Sequence, residues 1–309
     1  MAKSSRNDQP EESIIVAAEQ GRLDLVTNLL ESGADPNTVD DIGTSALHNA
    51  AKEGHWHIAR LLLEKNASPR ILDGHNVTPL HRAIKAGHTQ IVRLILDCDP
   101  TICESVVDPT KLLCIAANCG YSEITQILLA YNIPSLDKSP GITALHCAAK
   151  YYTGATPFLY AFEKRHHRTV EVFLRHYPDL TKAYDQHKVL LFHEAVRTLN
   201  IEMTRIFLDN GADIEMENRK GSRPLHVVVT ASLNYSHYSE NYLNEIIEMI
   251  QFLLARGAAV DVKDKDGYTP EFHARDPKIR MLLRNHEASG GDRKLTLPQT
   301  SAPPPEYKE

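Results

Sequence analysis

Residues 45–57, SALHNAAKEGHWH, place three histidines, a glutamate and a lysine within thirteen positions. Taken alone, the stretch admits a metal site or a proton relay. The same pieces return as TPLHRAIKAGH (Thr78 to His88) and, damaged, as KLLCIAANCGY (Lys111 to Tyr121). A feature that repeats at a fixed interval is architecture before it is chemistry.

Ser45, Thr78 and Lys111 lie 33 residues apart, and Thr143 of TALHCAA follows after 32. Leu190, Arg223 and Thr269 continue the series at steps of 47, 33 and 46. A second marker keeps the same clock: Gly33, Asn66, Asp99 and Asn132, then Gly211 and Gly257 once two extra stretches are subtracted, with Tyr177 the one misfit. Glycine, asparagine and aspartate tolerate a left-handed backbone, so each marker predicts a helix end. Between markers run two short apolar-periodic blocks, such as Leu47 to Lys52 and Ile58 to Leu63. Helices of about two turns do not hold alone and must be stabilised by stacking on neighbours.

Gly43 with SALHNAA and EGHWHIARLLL, TPLHRA with AGHTQIVRLIL, GADPN (Gly33 to Asn37) and GADIEMEN (Gly211 to Asn218) together resemble the ankyrin-repeat family. The resemblance implies an all-α solenoid of seven to eight helix-turn-helix units with short β-turn fingers, spanning 11–286. Its units fall near 11–39, 40–72, 73–105, 106–137, 138–184, 185–217, 218–263 and 264–286, between a disordered 1–10 and a flexible tail over 287–309. The first and last copies are incomplete and read as caps. The fourth, with Pro109 and Leu112 in its finger, departs furthest from the pattern.

The resemblance also implies that the histidine of each TPLH bonds the backbone of a neighbouring finger, a slot filled by His48, His81, His146, His193 and His226. Spacing agrees that these are not metal ligands. His48 and His55 are about 10 Å apart at helical rise, and stacked helices sit about 8–10 Å apart. Two ligands of one zinc ion must bring their nitrogens within roughly 4 Å. Cys114 and Cys147, on or beside the same slot, read as small buried residues, and Asp35, Asp213 and Asp264 as structural repeat positions. No metal and no cofactor is expected.

Composition narrows the class further. The 309 residues are 42% hydrophobic and 24% charged with a formal charge of −6, which supplies no basic surplus for general nucleic-acid binding. The polar start MAKSSRNDQPEES and the lack of any run of eighteen apolar residues predict neither a secretory signal nor a membrane span. Five cysteines, Cys98, Cys103, Cys114, Cys119 and Cys147, crowd one third of the chain at spacings too sparse for C-x-x-C knuckles. An odd count of free thiols suits a reducing compartment. The expectation is a cytoplasmic monomer, with the nucleus as an alternative. No Gly-rich phosphate cradle and no G-x-S-x-G elbow occurs, and HEAVR at His193 lacks the second histidine of a helical zinc protease, so no enzyme is expected.

Departures from the repeat are where function is sought. The threonine slot and the terminal turn are 21 residues apart in the second unit (45 to 66) but 34 in the fifth (143 to 177) and seventh (223 to 257). This predicts two inserts of about thirteen residues between inner and outer helix, within Lys150–Arg168 and Thr230–Glu245. Six of the twelve tyrosines, Tyr151, Tyr152, Tyr160, Tyr235, Tyr238 and Tyr242, lie there. They either pack as lengthened helices or form a paired rim that grips a partner.

Ankyrin-like proteins bind through finger tips and the exposed end of the inner helix. Carried over by position, this concave face is Asp41, Ile42, Lys52, Glu53, Gly74, His75, Lys85, Lys150, Tyr151, Gln186, His187, Arg197, Arg219 and Lys220. Its later part is mainly basic, which favours an acidic segment as ligand.

In the tail, Pro304, Pro305, Glu306 and Tyr307 spell P-P-x-Y, which resembles the ligand of WW domains. Such domains are common in HECT-type ubiquitin ligases and their adaptors. The reading is a non-catalytic adaptor whose repeats select one protein and whose tail recruits another. The alternative is a repeat-borne inhibitor or effector that masks its target, with the tail inert.

Overall fold

The computed structural model describes residues 13–102, 109–131, 156–185, 189–231 and 240–288. Helices come in antiparallel pairs and divide between two compact units, 1–180 and 181–309. Unit 1 holds α1 (Ile14–Glu19), α2 (Leu23–Glu31), α3 (Ala46–Glu53), α4 (Trp56–Glu64), α5 (Pro79–Ala86), α6 (Thr89–Cys98), α7 (Pro109–Cys119), α8 (Ser122–Ala130), α9 (Pro157–Glu163) and α10 (His167–His176). The odd-numbered helices pack in sequence as an inner row and the even-numbered ones as an outer row. Unit 2 holds α11 (Leu191–Arg197), α12 (Ile201–Asp209), α13 (Pro224–Ala231), α14 (Glu240–Ala255), α15 (Pro270–His273) and α16 (Pro277–Ala288), with α11, α13 and α15 as its inner row.

The T-P-L-H tetrad is a helix-start device. Ser45, Thr78, Thr156 and Thr269 are extended N-caps whose hydroxyl oxygens accept the N–H of His48, His81, Leu159 and Phe272 at 3.4, 3.4, 3.1 and 3.4 Å. Pro79, Pro157 and Pro270 follow at the first turn, where the missing N–H costs nothing. Small residues let the inner row close up: Ala46, Leu47, Ala50 and Ala51 are wholly buried, as are Leu80, Ala83 and Ile84 in the next layer. Each buried Leu or Ile contributes about 1.5–3 kcal/mol, so the burial between layers stabilises helices of six to ten residues that would melt alone.

Among the described residues the predicted helix-end markers hold with one exception, and Asn132 lies outside them. Gly33, Asn66, Gly211 and Gly257 are left-handed at φ of 93°, 65°, 90° and 94°. Asp99, predicted to do the same, is extended at φ −141°, with its N–H bonded to the Ile95 carbonyl and its carboxylate turned to Arg70. Tyr177, the misfit in the pattern, is likewise extended at φ −132°.

The first insert needs a correction. Residues 157–176 are an inner and an outer helix, and α9 packs on α7 while α10 packs on α8. Thr156 precedes His166 by ten residues, as Thr78 precedes His88, and Arg165 takes the left-handed position (φ 57°) that Gly54 and Gly87 hold in earlier layers. The extra residues of this layer therefore precede its inner helix instead of separating inner from outer. TALHCAA at 143–149 lies outside the described residues. In unit 2 the extra residues do lie between inner and outer helix, and α14 is drawn out to 16 residues against 9 for α12.

Candidate interaction surface

The fingers are built by one recurrent acidic or amide side chain. Asp40 Oδ1 accepts the N–H of Ile42 and Thr44 at 3.0 and 2.7 Å, and Asp73 those of His75 and Val77 at 2.9 and 3.0 Å. In unit 2, Asn218 accepts from Lys220 and Ser222, and Asp264 from Asp266 and Tyr268. An oxygen that captures both N–H groups leaves the intervening residues facing outward, the Asx-turn logic. Successive fingers are joined by Gly74 N–H donating to the Ile42 carbonyl at 2.7 Å and Lys265 N–H to that of Lys220 at 3.3 Å.

Two sets of histidines lock layer to layer, which answers the cluster at 45–57. His48 Nε2 donates to the Val77 carbonyl at 2.9 Å, His193 to Ser222 at 3.2 Å and His226 to Tyr268 at 3.1 Å. The Nδ1 atoms of His48 and His226 accept the N–H of Ser45 and Arg223, which places the proton on Nε2 in both. Burial holds all three imidazoles below their ordinary pKa, opposed by the carbonyl each one bonds. His146 is outside the described residues.

The second set points the other way. His55, His88 and His166 donate through Nε2 to the Glu19, Lys52 and Asn118 carbonyls of the preceding layer at 3.1, 3.1 and 3.0 Å. Their rings lie over the left-handed glycines that close the preceding inner helices. A Cβ on Gly54 would meet His88 at 2.6 Å, whereas one on Gly33 would meet nothing within 4 Å. Both residues are left-handed, which costs a non-glycine about 1–2 kcal/mol. Gly54→Ala is therefore expected to destabilise unit 1 by about 2–3 kcal/mol, the excess over Gly33→Ala being the displaced ring and its lost hydrogen bond. Equal shifts of the urea midpoint for the two variants would show that the ring adapts freely.

In unit 1 the predicted face is open: Asp41, Ile42, Lys52, Glu53, Gly74, His75 and Lys85 are all exposed, and Ile42 is 61% exposed. Val39 and Leu72, 33 apart in successive fingers, add exposed apolar surface beside it. Lys52 and Glu53 neutralise each other at 2.7 Å. In unit 2, Arg219 and Lys220 are exposed at a finger tip, and Lys265 Nζ caps the Arg219 carbonyl at 2.9 Å. Arg197 is paired bidentately with Glu194 at 2.8 and 2.6 Å, so it contributes little net charge and the basic character narrows to the fingers.

Lys150, Tyr151, Tyr152, Gln186, His187, Tyr235, Tyr238, Pro304, Pro305 and Tyr307 lie outside the described residues. Tyr160 is not on an insert: it is a half-buried residue of the inner helix α9. Tyr242 is half-buried near the start of the lengthened outer helix α14. With the register corrected, the residue of the fifth layer that matches Lys52 and Lys85 is the exposed Glu163. The Thr-Pro at 156–157 was the signal for it.

Cys114 is half-buried, less enclosed than predicted, and Cys147 lies outside the described residues. Among the described residues no group of three or more His, Cys, Asp or Glu is placed to hold a metal ion, and no helix is long and apolar enough to cross a membrane.

The family model of ankyrin repeats matches residues 14–106 with three copies. The crystal structure of the human ASB11 ankyrin repeat domain superposes with a TM-score of 0.51 at 24% identity, covering 80% of this chain and 98% of that one. The E3 ubiquitin-protein ligase KEG of Arabidopsis thaliana is 26% identical over 270 residues. That alignment takes in 87% of this chain but 14% of the relative, so the chain spans a small part of KEG's length. Paired helices, Asx-turned fingers, the histidine locks and these likenesses converge: the chain has an ankyrin-repeat fold, with the family's signature carried by residues 14–106.

Proposed function

We propose that the protein is a non-catalytic interaction adaptor whose finger tips and inner-helix ends bind a protein partner, and whose Pro304-Pro305-Glu306-Tyr307 segment recruits a WW-domain protein such as a HECT-type ubiquitin ligase. The observation that carries the first half is the row of outward residues that the turn carboxylates of Asp40 and Asp73 leave facing solvent, Ile42 among them at 61% exposure. A half-apolar patch flanked by Asp41, His75 and Lys85 has the composition of a recognition surface, in which a few apolar anchors carry most of the affinity. The P-P-x-Y sequence supports the second half, and the likeness to a protein named as a ubiquitin ligase accords with it. On this reading the protein works as a cytoplasmic monomer.

The alternative, a repeat-borne inhibitor with an inert tail, uses the same face. One purification from cells separates them, comparing the intact chain with Ile42→Asp and Tyr307→Ala. The adaptor reading expects Tyr307→Ala to lose a WW-domain protein while keeping the others, and Ile42→Asp to lose a different set. Partner lists indifferent to Tyr307 sink the tail's role, and lists indifferent to Ile42 move the binding face elsewhere.

A further inference from the structure

The finger at 218–222 reads Asn218-Arg219-Lys220-Gly221-Ser222, and Arg223 follows it. Among the described residues, Ser222 is the one serine or threonine with Lys or Arg both three and two places before it. The fold uses the backbone at this position and leaves the side chain open: the histidine locks bond the carbonyls of Val77, Ser222 and Tyr268 alike. The Ser222 N–H donates to Asn218 Oδ1 at 3.0 Å, while its half-buried hydroxyl bonds to no described residue.

The surroundings are cationic and under-used. Arg219 and Lys220 are exposed at the tip, and neither side chain forms an ion pair among the described residues. Arg223 reaches Glu215 and Glu217 only at 3.4 and 3.3 Å, and its Nε is buried without a hydrogen-bond partner. Those contacts are longer than the about 2.7–2.9 Å of a good charge-assisted bond, so this guanidinium has donors to spare for a stronger acceptor.

We propose that Ser222 is a phosphorylation site for a serine/threonine kinase that reads basic residues before its target, and that the phosphate is seated by Arg223 and the Arg219–Lys220 tip. In the transfer, Ser222 Oγ attacks the γ-phosphorus of a nucleoside triphosphate that the kinase holds with Mg²⁺. The bond from that phosphorus to the β,γ-bridging oxygen breaks, the hydroxyl proton passes to a carboxylate of the kinase, and the nucleoside diphosphate leaves. Carboxylates in the kinase cleft select Arg219 and Lys220 by charge-assisted bonds. Kinases take their target extended, so the turn that Asn218 closes opens locally, at less cost than unfolding the unit. The product carries about −1.5 to −2 charges and three strong acceptor oxygens, which cancels the two positive charges of the tip. The effect on partner binding rests on the binding face proposed above; the modification does not.

The full chain is incubated with Mg-ATP and the catalytic subunit of the cyclic-AMP-dependent protein kinase, and the phosphate is located by mass analysis of fragments. Thr296, which follows Arg293 and Lys294 at the same spacing and lies outside the described residues, is replaced by Ala throughout so that it does not compete. One phosphate per chain on Ser222 is expected. Arg219→Ala with Lys220→Ala, folded by its melting curve, is expected to slow the transfer at least about tenfold. Phosphorus NMR then follows the second ionisation of the phosphate, expected about half a pH unit or more lower in the folded chain than in the same chain unfolded in urea. No phosphate on Ser222, or a rate indifferent to Arg219 and Lys220, overturns the modification. Equal ionisation in the folded and unfolded chain overturns the seating.

Discussion

Arg82→Ala is expected to lower the unfolding free energy of unit 1 by about 3 kcal/mol, a large loss for one partly exposed side chain. The cause is Asp73, whose carboxylate is 1% exposed and accepts Arg82 Nη2 at 2.5 Å besides two backbone N–H groups. Burial pushes the Asp73 carboxyl up, but the bonds from Arg82 and from the Val77 and His75 N–H groups outweigh it and hold the group below the usual carboxylate range. Removing Arg82 leaves burial with one fewer opponent. The carboxylate then stays charged without its cation or takes a proton and weakens the finger turn. Arg82→Lys restores the charge but not the guanidinium reach, so a partial recovery is expected. A urea midpoint that Arg82→Ala leaves within experimental scatter would mean that water reaches Asp73 and the clasp is ornamental. The finger at Asp264 has the same clasp with an imidazole in place of the guanidinium: His273 Nε2 lies 2.8 Å from Asp264 Oδ2, four residues past Thr269 as Arg82 is past Thr78.

Acid is expected to destabilise the repeats well before carboxylates titrate, and unit 2 more than unit 1. Burial depresses the folded-state pKa of His48, His193 and His226 below 6.5, the ordinary value of an imidazole in an unfolded chain. For a depressed pKa the unfolded state binds the proton first. The contribution is therefore full above pH 6.5 and is lost as pH falls from there through the folded values. Each histidine can supply a slope of up to about 1.4 kcal/mol per pH unit, and unit 2 holds two of the three. Around His226, Asp264 raises its pKa while His273 and Arg223 lower it, and around His48, Asp73 and Asp40 oppose Arg82. Urea melts at pH 7.5, 6.5 and 5.5 check the sign. Stability that is flat or rising over the last step would refute the neutral-donor assignment. His226→Gln, which keeps a side-chain donor without a titratable ring, is expected to flatten part of the slope.

The register of the fifth layer shows where reading the sequence went astray. TALH at 143 fits the 33-residue clock to within one residue and carries the slot histidine, whereas TPFL at 156 has leucine in that slot. Both stretches satisfy the local requirements of a capped helix start. Burial against a neighbouring helix discriminates, and α9 packs on α7 with Phe158 1% exposed. Tyr160 changed roles as a result, from an insert to the inner helix. Asp99 shows the same limit on a smaller scale: its residue type allows a left-handed turn, but Arg70, 29 residues away, offers its carboxylate a bidentate partner at 2.5 and 2.7 Å.

The sequence by itself determined what is local or periodic: the 33-residue unit, the N-capping threonines, the left-handed glycines and the histidine slots. Each is a short-range preference written many times over, so agreement among copies outweighs any one misfit. Only the tertiary structure decided that residues 157–163 enter the inner row, and that Phe272 stands open where His48, His193 and His226 are buried in other layers. The first outcome depends on packing against a helix distant in sequence and the second on the surroundings of Phe272, and neither is encoded in a local pattern.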